Sequence, residues 1–100
     1  MNIREDFHRE LSERRRVNIL EFLSNQPGYM ASTADIQKFL ETEKITLVTI
    51  SRIAADLVMF AEQDLVILIA DGAGARITST GIDVANGRLH MPGIARPLPE

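Results

Sequence analysis

The chain of 100 residues contains no cysteine and no tryptophan, and only one tyrosine and four phenylalanines. Without thiols, disulfides and thiolate metal sites are excluded, and a cysteine-free chain suits a reducing interior. Positive charge is also scarce. The 11 Lys and Arg stand against 14 Asp and Glu, a net charge of −3 at pH 7, so the strongly basic balance of many phosphate-binding proteins is missing. No apolar run approaches the roughly 20 residues needed to span a bilayer. The first residues, with Arg4, Glu5, Asp6 and Arg9, hold no apolar signal-peptide core. A soluble cytoplasmic protein with no membrane association is expected. The two histidines, His8 and His90, lie at opposite ends of the chain with no metal-ligand spacing. The serines lack a nucleophile turn and a matching base. Gly72-Ala73-Gly74 lacks the lysine and the following helix of a phosphate loop. The expectation is a non-enzymatic protein with no metal and no cofactor.

What is present suffices for one ordered domain, with 45% hydrophobic and 25% charged residues. Residues from about Arg4 to Gln26 read as an amphipathic helix, with Phe7, Leu11, Ile19, Phe22 and Leu23 in one broad arc and Ser12 as a potential internal cap. Pro27-Gly28 ends it. Ser32 or Thr33 caps a second helix whose buried stripe is Ile36, Phe39 and Leu40. Glu43-Lys44 begins a short connection to a third helix. Thr46 or Thr49 can cap it, and Thr49 is preferred because Ile50, Ile53, Leu57 and Phe60 then share one apolar face, and Ser51, Arg52, Ala55, Asp56, Met59 and Glu62 lie on the other.

Leu65 to Ala70 is a continuous apolar run, read as a strand covered on both faces. Asp71-Gly72-Ala73-Gly74 is the turn, and Ala75 to Thr78 returns with Ile77 inward. Thr78, Ser79 or Thr80 caps a short helix holding Ile82, Val84 and Ala85, closed by Asn86-Gly87. The fold class implied is α+β and mostly helical, a winged helix-turn-helix with a two-stranded β-hairpin wing and a short C-terminal helix. Residues 1–87 form the domain. Residues 88–100, with three prolines and no periodicity, read as an extended tail.

In such a fold the third helix is the element laid into a DNA major groove. The outward residues at its start are Thr49, Ser51, Arg52 and Ala55, and among them only Arg52 can grip guanine with two hydrogen bonds. Lys44 and Thr46 are placed for phosphates, and Arg76 lies in the hairpin. The candidate arginines have plainer readings. Arg52 can pair with Asp56 four residues on, and Arg76 can be a solvated edge residue that discourages strand pairing. Arg14-Arg15-Arg16 reads either as a solvated face paired with Glu10 and Glu13 or as a phosphate clamp. Against the DNA reading, residues 31–64 carry three cations and six carboxylates. A homodimer is expected, since the upstream helix and the tail are natural dimer elements and two modules double the sparse positive charge. The alternative is a monomer in which the first or last helix covers the apolar strand.

Arg14 to Leu23 followed by Pro27-Gly28-Tyr29 resembles the first helix of ArsR-like winged-helix proteins. Leu57 to Val66 resembles the end of a recognition helix, where glycine commonly stands in place of Asp64. Ile77 to Gly87, with Pro92-Gly93 and Arg96-Pro97 beyond, resembles small winged-helix (ArsR-like) proteins of Mu-like phages and prophages. The resemblance implies a winged helix in a phage or prophage setting. Metal sensing does not carry over, because the metal-binding cysteines of ArsR repressors have no counterpart here.

Two functions are therefore expected in order. The first is a DNA-binding regulator of phage or prophage transcription that reads duplex DNA with the third helix. The second is a non-catalytic module that binds a phage or host protein in assembly or regulation, through its apolar strand and Pro-containing tail.

Overall fold

Asn2 opens the first helix by accepting the Arg4 N–H on its side-chain oxygen at 3.0 Å. From there the computed structural model, which describes residues 2–99, runs as one helix, α1 (Ile3–Ser24), with no restart at Ser12. Val17, Ile19, Leu20 and Leu23 are buried, but Phe7 and Leu11 are not: 58% and 52% of their surface faces solvent. The single broad arc expected of this helix is therefore two separate stripes.

After a 3-10 turn at Pro27–Tyr29, Met30–Ser32 forms a short strand, β1, that the sequence pattern does not announce. Ser32 caps α2 (Thr33–Glu43) by accepting the Asp35 N–H at 3.0 Å. Thr49 caps α3 (Ile50–Glu62) by accepting the Arg52 N–H at 3.1 Å. The end of α3 is a Schellman motif. The Leu65 N–H reaches the Phe60 carbonyl at 2.9 Å and the Asp64 N–H reaches Ala61 at 3.1 Å. This closure puts Asp64 at φ +60°, a left-handed position that glycine adopts more cheaply.

The hairpin that follows is β2 (Val66–Ile69) and β3 (Gly74–Ile77), joined through left-handed Ala70, Asp71 and Gly72. The sheet has three antiparallel strands in the order β1-β3-β2, not two. Ala31 and Leu68 both face Ala75 across β3, and Met30 and Ile67 both face Arg76. With alternating side chains, the inner face carries Val66, Ala75 and Ile77, and the outer face carries Ile67, half exposed at 51%. The strand from Leu65 onward is thus covered on one face only.

Thr78 caps α4 (Ser79–Ala85), accepting the Gly81 N–H at 3.0 Å. A Cβ at Gly81 would meet the Leu65 carbonyl at 2.2 Å, so only glycine lets α4 press against the start of the hairpin. The core joins α1, α2, α3, the inner sheet face, Val84 and Ala85. It also includes Ile94 from the C-terminal segment, 1% exposed. Residues 88–99 form no helix or strand, yet they are not an extended arm. The Ala95 N–H donates to the Glu13 carbonyl at 3.1 Å, and Arg14 donates to the Arg96 carbonyl at 2.8 Å.

Candidate nucleic-acid interface

The start of α3 is fixed from both sides. Ile53, Leu57 and Phe60 are fully buried and set the rotation of the helix. The preceding turn is held to α2 by Gln37, whose amide donates to the Val48 carbonyl at 2.9 Å, and by the Thr46 N–H, which reaches Leu40 at 2.9 Å. That rotation leaves Thr49, Ser51, Arg52 and Ala55 exposed together at the N-terminal end of α3. Arg52 makes no ion pair among the described residues.

Lys44 ends α2 and is exposed, its ammonium 5.8 Å from the Phe39 ring centroid. The exposed Thr46 donates its hydroxyl to the Lys44 carbonyl at 3.3 Å. Six of the seven candidate positions therefore sit on the α2–α3 turn and the first turns of α3. The seventh, Arg76, lies elsewhere: it projects from the outer sheet face between Met30 and Ile67. Because β3 is the central strand, Arg76 cannot serve as an edge residue that blocks strand pairing.

The largest departure from the sequence reading is Asp56. Expected on the outward face of α3 as a partner for Arg52, it is 3% exposed and turned toward α1. Its carboxylate accepts two hydrogen bonds from Arg15, at 2.6 and 3.0 Å, and one from Arg16 at 3.2 Å. Arg16 also donates to the Gly93 carbonyl at 2.9 Å. The arginine run is thus neither a solvated face paired with Glu10 and Glu13 nor a free phosphate clamp. Arg15 and Arg16 join α1 to α3, while Arg14 and Arg16 hold the C-terminal segment. Nothing in the local spacing signals this cluster, because its partners are about 40 and 80 residues apart in sequence.

The turn beside the candidate residues is unusually apolar. Ile45 and Leu47 are each 88% exposed, and Ile45 adopts a left-handed φ of +53°, a costly conformation for a β-branched residue. Leu47 and Thr46 line a hollow of about 210 Å³ with Leu11, Arg15 and Asn18 of α1. No helix is long and apolar enough to cross a membrane, and among the described residues no group of three or more acidic or histidine side chains is placed to hold a metal ion. Comparison of the chain with family models, with curated proteins and with solved structures gives no match.

Proposed function

We propose that the chain is a winged helix that binds duplex DNA through α3, working as a pair of copies to regulate transcription in the phage or prophage setting its sequence resembles. The observation that carries this reading is the free N-terminal end of α3, with Ser51, Arg52 and Ala55 exposed and Arg52 unpaired among the described residues. The element order supports it. A helix, a strand, two helices and a hairpin, closed into a sheet of order β1-β3-β2, is the layout in which a third helix is presented and a hairpin flanks it. In this reading Arg52 takes a guanine edge, Ser51 and Ala55 lie against neighbouring bases, and Lys44, Thr46, Thr49 and Arg76 serve backbone phosphates.

Titration with duplex DNA at low salt, followed by selection from a random pool, tests the proposal. Arg52→Ala is expected to remove roughly 1–3 kcal/mol of base discrimination, and Lys44→Ala to weaken all duplexes alike. Absence of duplex binding at low salt, where phosphate attraction is greatest, rejects it.

A second reading, a protein-interaction module, is favoured by one specific observation: the exposed Ile45 and Leu47 flank the same turn as Lys44 and Thr46. It predicts a discrete protein partner in induced or infected cells. A pull-down that returns nucleic acid alone weighs against it.

A further inference from the structure

The two halves of α1 turn their apolar residues in opposite directions. At about 100° per residue, Val17, Ile19, Leu20 and Leu23 point into the core, whereas Ile3, Phe7 and Leu11 point away from it. The side of the first half that continues the buried stripe carries Glu5, Arg9 and Ser12 instead. Ile3, Phe7 and Leu11 are accordingly 84%, 58% and 52% exposed, one turn apart along the outer face. Arg14 follows in the same line, but its guanidinium is drawn aside to the Arg96 carbonyl at 2.8 Å, which leaves the apolar stripe open at that end. A helix that serves only its own domain has no use for a second stripe set opposite the first.

We infer that this outer stripe is the contact between two copies of the chain, with their α1 helices side by side and running in the same direction. The occupant is read from the charges bordering the stripe. On one side lies Arg4, on the other Glu10 and Asp6, the latter also paired with Arg9 of the same helix. A two-fold axis along the helices brings the acidic border of each copy against the basic border of the other. An antiparallel pair instead sets like borders against like, which is unfavourable. The stripe is therefore self-complementary in one orientation only. The inference deepens the paired-module reading above by naming the face and the direction.

The test uses the full chain without DNA, so that failure of duplex binding and failure of the pair are separate results. Sedimentation equilibrium should show a dimer at micromolar concentration. Phe7→Asp should weaken self-association by about 100-fold or more, since an apolar side chain is lost from both copies. The circular dichroism spectrum should not change, because Phe7 lies outside the core. Direction is read by crosslinking, which the cysteine-free chain makes clean. Leu11→Cys alone should form a disulfide dimer under mild oxidation, as same-direction pairing brings the two positions within the roughly 7 Å Cα separation a disulfide allows. A wild-type monomer, a dimer indifferent to Phe7→Asp, or crosslinking only when Leu11→Cys is mixed with Ile3→Cys would each overturn the inference.

Discussion

Replacing Asp56 with alanine separates a structural account of α3 from the outward-facing one its sequence invites. A carboxylate on the solvent face of a helix is worth little, and its loss changes stability by within about 0.5 kcal/mol. Here the carboxylate is 3% exposed and accepts three charged hydrogen bonds, at 2.6, 3.0 and 3.2 Å. Its removal strands Arg15, whose side chain is only 11% exposed, while Arg16 keeps the Gly93 carbonyl. Breaking a buried pair by removing one partner costs about 3–5 kcal/mol. Because both arginines retain some exposure and can swing outward, the lower end applies, about 3 kcal/mol. For a domain of this size that corresponds to a fall in Tm of roughly 12–24 °C. Urea unfolding followed by circular dichroism measures it directly. The double change Arg15→Met with Asp56→Leu should recover most of the loss, since a well-packed apolar pair replaces a buried ion pair at little cost. A loss below about 1 kcal/mol for Asp56→Ala would refute the argument that this cluster is buried and paired.

Two further perturbations test the C-terminal segment and the α2–α3 turn. Ile94→Ala should destabilise the fold by about 2–4 kcal/mol in the same assay, because Ile94 is 1% exposed within the shared core; a change near zero would mean that the C-terminal segment is undocked. Ile45→Gly should stabilise the chain by up to about 1 kcal/mol, since it relieves a left-handed isoleucine that gains nothing from burial at 88% exposure; a destabilised variant would show that Ile45 is covered in solution.

The features legible in the sequence are those decided within a few residues. Helix caps are bonds between positions three apart, and Ser32, Thr49 and Thr78 all make the cap their spacing allows. The buried face of α3 follows from Ile53, Leu57 and Phe60 at helical period, and with it the exposure of Ser51, Arg52 and Ala55, while Ile50, expected on the same face, is 40% exposed at the helix start. The features that were not legible depend on distant partners. β1 is three residues long and exists because β3 offers it an edge. Asp56 is polar by composition and buried only because Arg15 and Arg16 arrive from α1. Ile94 lies in a proline-flanked segment without periodicity, anchored by hydrogen bonds to Glu13, Arg14 and Arg16. In α1, Phe22 sits between the two apolar stripes and stacks on Phe39 with centroids 4.4 Å apart, which makes two faces resemble one in a helical projection.

The same cluster alters the charge argument about nucleic acid. Residues 31–64 carry three cations and six carboxylates, a poor balance for a phosphate-binding surface. One of those carboxylates, Asp56, is withdrawn from the surface together with Arg15 and Arg16, so the segment presents less negative charge than its composition implies, and α1 presents less positive charge. Of the candidate residues, Lys44 and Arg76 then serve phosphates, with Arg52 committed to a base or a third phosphate. With two copies each making two or three such contacts, the slope of log K against log salt should lie at about −4 to −5. A slope near −10 would require roughly 11 phosphate contacts, and therefore basic residues beyond this set, whether the exposed Lys38 and Arg88 or an Arg15 and Arg16 released from Asp56. A shallow slope is what the buried pair demands, and a steep one that becomes shallow in Arg15→Met with Asp56→Leu would show that binding pulls α1 and α3 apart.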